Sequence, residues 1–269
     1  FKKYNQTLGS ENKVTYLNPG ITKNGYFIET GWAASNIDAV PLPDKKSQWK
    51  VKGNKKLSVG SPVIIEWDNK SGLVFRKKIE LDEKFLFRIT QEIQNKSSNV
   101  IELYPYAQIT RNQKPVLETG SMSGTFILHD GFIGVFDENL KEYDYDDIKD
   151  KKEEHNAENG WLGITDKFWI TALVPEKNKS FKGEFVHKSD SFKANYIINK
   201  PVEVKPSSSK TSNTRIFIAA KEVKVIDGYA ESENINKFDL TIDWGWLYFL
   251  TKPLFFVINY LFELTKNFG

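Results

Sequence analysis

Residues 73–93 read LVFRKKIELDEKFLFRITQEI, and their period decides the fold. Leu73, Phe75, Ile79 and Leu81 fall on one side of an extended chain, with Val74, Arg76, Lys78 and Glu80 on the other. Asp82-Glu83 predicts a tight reversal, after which Phe85, Phe87, Ile89 and Ile93 alternate with Arg88, Thr90 and Glu92. Successive side chains of a strand point to opposite faces of its sheet, so this period of two predicts half-buried antiparallel strands.

The same reading extends in both directions. Upstream, residues 14–17, 26–30 and 49–51 are short aromatic segments, and Asn18-Pro19-Gly20, Pro41 and Pro43 mark loops. Downstream, residues 100–109 follow a turn at 95–99. Residues 125–128 and 132–136 flank Asp130-Gly131, a strong hairpin signal. Further strands are predicted at 168–173, 181–187, 192–198, 214–220 and 223–226. About a dozen short strands at this spacing imply an all-β sandwich or barrel. Helix is scarce before Lys237, and no repeat of fixed period is evident. Two stretches read as loops: the charge-dense 138–158, and PSSSKTSN at 206–213. The division expected is a β domain over 1–237 and a C-terminal helical segment over 238–269.

That last segment, FDLTIDWGWLYFLTKPLFFVINYLFELTKNFG, is far more aromatic and apolar than the rest of the chain. Lys252, Asn259, Glu263 and Lys266 lie within roughly 60° of one another on a helical wheel, with Asn267 beside them. The rest of the circumference is Leu254, Phe255, Phe256, Val257, Ile258, Tyr260, Leu261, Phe262 and Leu264. A spanning helix needs about 20 continuous apolar residues, whereas only roughly 12 to 14 follow Pro253 before the pattern ends. The expectation is a helix over 252–266 lying in a membrane interface, with its wide face in acyl chains and its polar stripe among headgroups. Trp244, Trp246, Tyr248 and Tyr260 supply the amphipathic rings favoured at that depth. Burying half of the apolar face favours the interface by roughly 5–10 kcal/mol before ordering costs. The competing reading is a terminal helix packed on the protein's own core.

Composition excludes several classes of chemistry. There is no cysteine, so disulfides, zinc thiolates and cysteine nucleophiles are out. A net charge of +3, evenly spread, does not argue for nucleic acid. The acidic run containing Asp144, Asp146 and Asp150 lacks the glycine and terminal glutamate of a calcium loop. His129, His155 and His187 have no metal-ligand spacing, and no nucleophile or phosphate-loop motif is present. No catalytic residue, metal or cofactor is expected. Trp32 and Trp161 read as core aromatics, with a carbohydrate or peptide cleft as the alternative. Phe1 is not a natural start and the sole methionine is Met122, so the chain reads as part of a longer protein.

Four stretches resemble one family. FDLTIDWGWLYFLTKPLF at 238–255 resembles the junction before the second transmembrane helix of bacterial YidC-type membrane protein insertases. GYFIETGW at 25–32, GWLGITDKFW at 160–169 and AAKEVKVIDGY at 219–229 resemble motifs of that family's large periplasmic domain, in the same order. The resemblance implies an antiparallel β-supersandwich, similar in fold to sugar mutarotases, on the periplasmic side of the bacterial inner membrane. It implies no catalysis and no cofactor. As partners it implies Sec translocon accessory subunits, nascent inner-membrane proteins and the membrane lipid surface. It also implies that opening strands precede Phe1, leaving an unpaired sheet edge near residues 13–17. A mutarotase-like sugar enzyme is the alternative from another class, and it needs a glutamate and a histidine converging in a cleft.

Overall fold

The computed structural model describes residues 4, 11–35, 40–114, 129–245 and 247–266. Among these residues fifteen strands form two antiparallel sheets, and the fold is the all-β supersandwich expected. The strands are β1 (Tyr26–Ala33), β2 (Lys50–Lys52), β3 (Val63–Asp68), β4 (Leu73–Leu81), β5 (Leu86–Asn95), β6 (Ile101–Arg111), β7 (Gly131–Phe136), β8 (Asn139–Asp144), β9 (Glu153–Ala157), β10 (Gly160–Thr165), β11 (Trp169–Val174), β12 (Phe181–Lys188), β13 (Ser191–Ile198), β14 (Val202–Val204) and β15 (Ser208–Ala220). Three helices, α1 (Tyr145–Asp150), α2 (Val223–Ser232) and α3 (Tyr248–Thr265), and a 3-10 turn at Phe238–Thr241 complete it. One sheet has the order β1-β6-β13-β12-β9, with β14 also on β6; the other runs β2-β3-β4-β5-β15-β11-β10-β7-β8.

The stretch that opened the argument forms β4 at the expected boundaries and β5 to within two residues of them. Their reversal is held by the Asp82 carboxylate, which accepts the Lys84 and Leu86 amides at 3.0 Å each and the Tyr229 hydroxyl of α2 at 2.7 Å. Between the sheets lie Phe132, Phe136, Leu162, Phe181, Phe185 and Tyr196, among others. On the outer face of the nine-stranded sheet, Leu86, Trp161, Ile170 and Phe217 are covered by Ile226 and Tyr229 of α2 and by Phe238. Trp161 and Trp32 are buried, as their reading as core required. The Trp161 indole donates to the Asn236 carbonyl at 3.0 Å. The glycines flanking Trp161 and Leu162 have a steric reason. A Cβ at Gly160, whose φ is 142°, would lie 1.9 Å from the Val135 oxygen, and one at Gly163 would lie 2.0 Å from the Thr171 oxygen. β10 is thus hemmed by the backbones of β7 and β11, and only glycine fits there.

Several expectations fail, most of them because tertiary partners outweigh local composition. Residues 138–158 are not a loop but β8, α1 and β9, with Tyr145 and Ile148 each 1% exposed beneath a charged outer surface. A capping box between Asp144 and Asp147 starts α1. Residues 206–213 are largely the start of β15, which pairs with β5 from Ser208 opposite Asn95 onward; Ser212 and Thr214 are buried there. Residues 223–226 begin a helix, because Val223, Ile226 and Tyr229 recur at helical spacing and all face the core. The hairpin partner of β7 is β8, turning at Asp137-Glu138, whereas 125–128 lies outside the described residues. Near residues 13–17 no strand forms. Tyr16 instead stacks on Trp169 at 5.2 Å.

Candidate functional surfaces

The first surface is α3. It starts four residues earlier than expected and runs through Pro253, which stands one turn inside its N-terminus. It is fastened to the body along its polar stripe. Lys252 Nζ lies 3.2 Å from both Asp227 of α2 and Asp239 of the 3-10 turn. Lys224 of α2 lies 2.6 Å from Glu263, whose carboxylate also accepts from Asn259 at 3.2 Å. Partial burial alone would lower the Lys252 ammonium, but its bonds to Asp239 and Asp227 outweigh this and hold it above the ordinary lysine value. Lys224 holds the Glu263 carboxyl below the usual range. The stripe that was expected among headgroups therefore faces the sandwich at Lys252 and Glu263. Lys266, exposed, caps the helix in a left-handed conformation.

The remaining surface of α3 faces outward. Phe249, Leu250, Leu254, Phe255, Phe256, Val257, Ile258, Tyr260, Leu261 and Leu264 are between 38% and 67% exposed. Of the expected interface residues, Phe262 is half-buried on the stripe side, and Trp244 packs edge-on against Phe255 at 5.5 Å. Tyr248 is the first residue of the helix; Trp246 and Asn267 lie outside the described residues. No helix among the described residues is long and apolar enough to cross a membrane.

The second surface is a cleft of about 600 Å³ between the sheets. It opens where the six-stranded sheet ends at β1, against β3, β4, β5 and β15 and beneath residues 43–49. Its apolar walls include Ile28, Ile79, Phe87, Ile89, Ile216 and Ile218; Trp32, Trp49 and Tyr106 also line it. Lys77 is the departure from pattern. It occupies an inward position of β4, between Phe75 and Ile79, where the sequence reading passed over it. Its ammonium donates to the Thr30 carbonyl of β1 and lies 5.2 Å from the centre of the Trp49 ring. Burial pushes it down to about 8, against a raising effect from Glu29. Directly opposite on β5, Gln91 is wholly buried and donates to the Gly31 carbonyl at 3.4 Å, leaving its own Oε1 without a partner. Mixed alternation gave one signal for this site: a lysine at an inward strand position asks for a compensating group.

The three histidines lie in separate settings. His129 bonds the Phe132 carbonyl at 2.9 Å and its nearest carboxylate, Asp144 at 3.5 Å, is largely exposed. His155 meets the Tyr143 hydroxyl at 3.0 Å, and His187 packs on Phe192. Among the described residues no group of three His, Asp or Glu side chains is placed to hold a metal ion.

The family model of the YidC periplasmic domain matches residues 1–257. The chain is 48% identical over its whole length to a membrane protein insertase YidC of Pelagibacter ubique, covering 47% of that protein. It is 38% identical over its whole length to one of Methylorubrum extorquens, covering 45% of it. It thus spans about half the length of these relatives. Among solved structures, a galactose mutarotase related enzyme from Lactobacillus acidophilus matches over 65% of this chain and 72% of its own, at 10% identity and a TM-score of 0.45. A putative aldose 1-epimerase from Escherichia coli K12 matches over 64% and 69%, at 8% identity and a TM-score of 0.43.

Proposed function

This chain belongs to the YidC periplasmic domain family, and from that premise we propose that it is the non-catalytic body of a membrane protein insertase, resting on the periplasmic face of the bacterial inner membrane through α3. The observation that carries the proposal is the orientation of α3. Its charges are spent on the sandwich, through Lys252 with Asp227 and Asp239 and through Glu263 with Lys224, so the opposite, apolar face is turned away from the body. Ten large exposed apolar side chains on one helix are more than scattered surface hydrophobics, and a bilayer interface covers such a wide face at little cost.

In this reading residues 1–237 are the body and 238–269 the membrane-facing segment, stitched to the body by the wholly buried Phe238. The membrane-interface set is Trp244, Trp246, Tyr248, Leu254, Phe255, Phe256, Ile258, Tyr260, Leu261 and Phe262. Lys252, Asn259, Glu263 and Lys266 form the stripe, of which Lys252 and Glu263 set the angle at which the sandwich stands on the bilayer. Sec translocon accessory subunits and nascent inner-membrane proteins are the partners that this placement brings within reach of the sandwich. The test is vesicle sedimentation of the whole chain beside a chain ending at Ile242, which keeps the Phe238 stitch. Binding by the whole chain alone is the expected result; equal binding by both removes the proposal.

A further inference from the structure

We propose that the cleft between the sheets binds a single-chain anionic amphiphile, its carboxylate on the Lys77 ammonium and its aliphatic chain along Ile28, Ile79, Phe87, Ile89 and Ile216. The inference is independent of how α3 meets a membrane. It starts from an ammonium that has no ion-pair partner among the described residues, Glu29 acting on it only from a distance. Buried ammonium groups are ordinarily paired, because an isolated charge loses its hydration and gains nothing in return. No carboxylate lies within ion-pair distance of Lys77 among the described residues; its acceptor is the neutral Thr30 carbonyl, and the other contact is the face of Trp49. The charged groups that line the same cleft are Glu29 on β1, Asp44 and Lys45 in the roof and Arg76 on β4, with Tyr106 on β6. Arg76 is already engaged, by Glu66 at 2.7 Å and Glu92 at 3.1 Å.

The lining selects the rest of the ligand. A cleft of about 600 Å³ is in the range that takes small amphiphiles, and the side of it formed by Ile28, Ile79, Phe87, Ile89, Ile216 and Ile218 offers an alkyl chain contact and a sugar no hydrogen bonds. An extended peptide would need the free edge of β1, since strand addition draws its affinity from main-chain hydrogen bonds. Lys77 and Gln91 already occupy the Thr30 and Gly31 carbonyls there. An alkyl chain needs no such ladder, and a terminal carboxylate meets the Lys77 ammonium with a charge-assisted bond.

The experiment is calorimetric titration of the whole chain with dodecanoate below its micellar concentration, followed by isoleucine-methyl NMR of the same mixtures. Saturable one-to-one binding is expected, with the Ile79 and Ile89 methyls shifting. Lys77→Met fills the same space without charge, at the cost of the one hydrogen bond to the Thr30 carbonyl, and its fold is checked by the unshifted methyls remote from the cleft; its affinity is expected to fall at least about thirtyfold, the scale for truncating one partner of a buried charge pair. Dodecanol should lose affinity likewise on the unaltered protein. Three results overturn the proposal: equal dodecanoate affinity in Lys77→Met; shifts confined to Ile258, which place the ligand on α3; or displacement of dodecanoate by an apolar peptide with one acidic side chain that binds more tightly, which makes the cleft a peptide site.

Discussion

Replacing Leu254, Ile258 and Leu261 together by alanine is the sharpest probe of the outward face of α3. The three stand at i, i+4 and i+7, on the side of the helix opposite Lys252 and Glu263, and they are 51%, 44% and 52% exposed. Full burial of such a side chain is worth about 2–3 kcal/mol, so the half still facing out offers about 1 kcal/mol each on entering an acyl region. Alanine keeps the helix, being its best former, and leaves the ion pairs of Lys252 and Glu263 untouched. The loss is therefore about 3 kcal/mol, or roughly 150-fold in partitioning. Sedimentation with vesicles of mixed zwitterionic and anionic lipids, over a range of lipid concentration, reads this directly, and the body's thermal midpoint should stay within about 2 °C of the original. Unchanged partitioning would sink the assignment of this face to lipid. A comparable loss on substituting the half-buried stripe residue Asn259 instead would show that the helix lies the other way up.

Two further outcomes follow from charges already described. The Lys77 ammonium is depressed to about 8 in the folded protein against about 10.4 in an unfolded chain. The unfolded state then binds more protons between those values, so stability should rise with pH across that window and the cost of the buried cation should be felt in full below it. Lys77→Met should flatten the rise; urea melts at pH 7 and 9.5 check this, and a flat profile in the unaltered protein refutes the account of a half-buried cation. Asp227→Asn with Asp239→Asn should loosen α3 from the body. The pairs with Lys252 are partly exposed and worth together about 1 kcal/mol after screening, so amide exchange in α3 should quicken about fivefold. Raising the salt concentration should act in the same direction. Exchange unaltered by either change would mean the seam is not what holds the helix.

Alternation was enough to place β4 to the residue, β5 to within two residues at either end and the reversal at Asp82, because a period of two with a buried face admits one register. The apolar circumference of 254–264 and the stripe at Lys252, Asn259, Glu263 and Lys266 were also legible, since helical geometry follows from spacing. Composition misled where one buried residue in three or four anchors a charged segment. Tyr145 and Ile148 under 138–158 are two buried groups among a dozen charges, and only the core they join, with Tyr145 against Phe132 and Phe192, makes them decisive. The polar run at 206–213 became strand because β5 supplied a partner for its backbone, a gain no single-chain propensity contains. What the stripe touches, and that Lys77 stands in a cleft without a direct ion-pair partner, were likewise decided only in three dimensions. Both depend on residues far away in the chain: Asp227 and Asp239 for the helix, Thr30 and Trp49 for the lysine. Electrostatic environment is a property of the neighbours that folding assembles, and a sequence names the charges without saying which of them will meet.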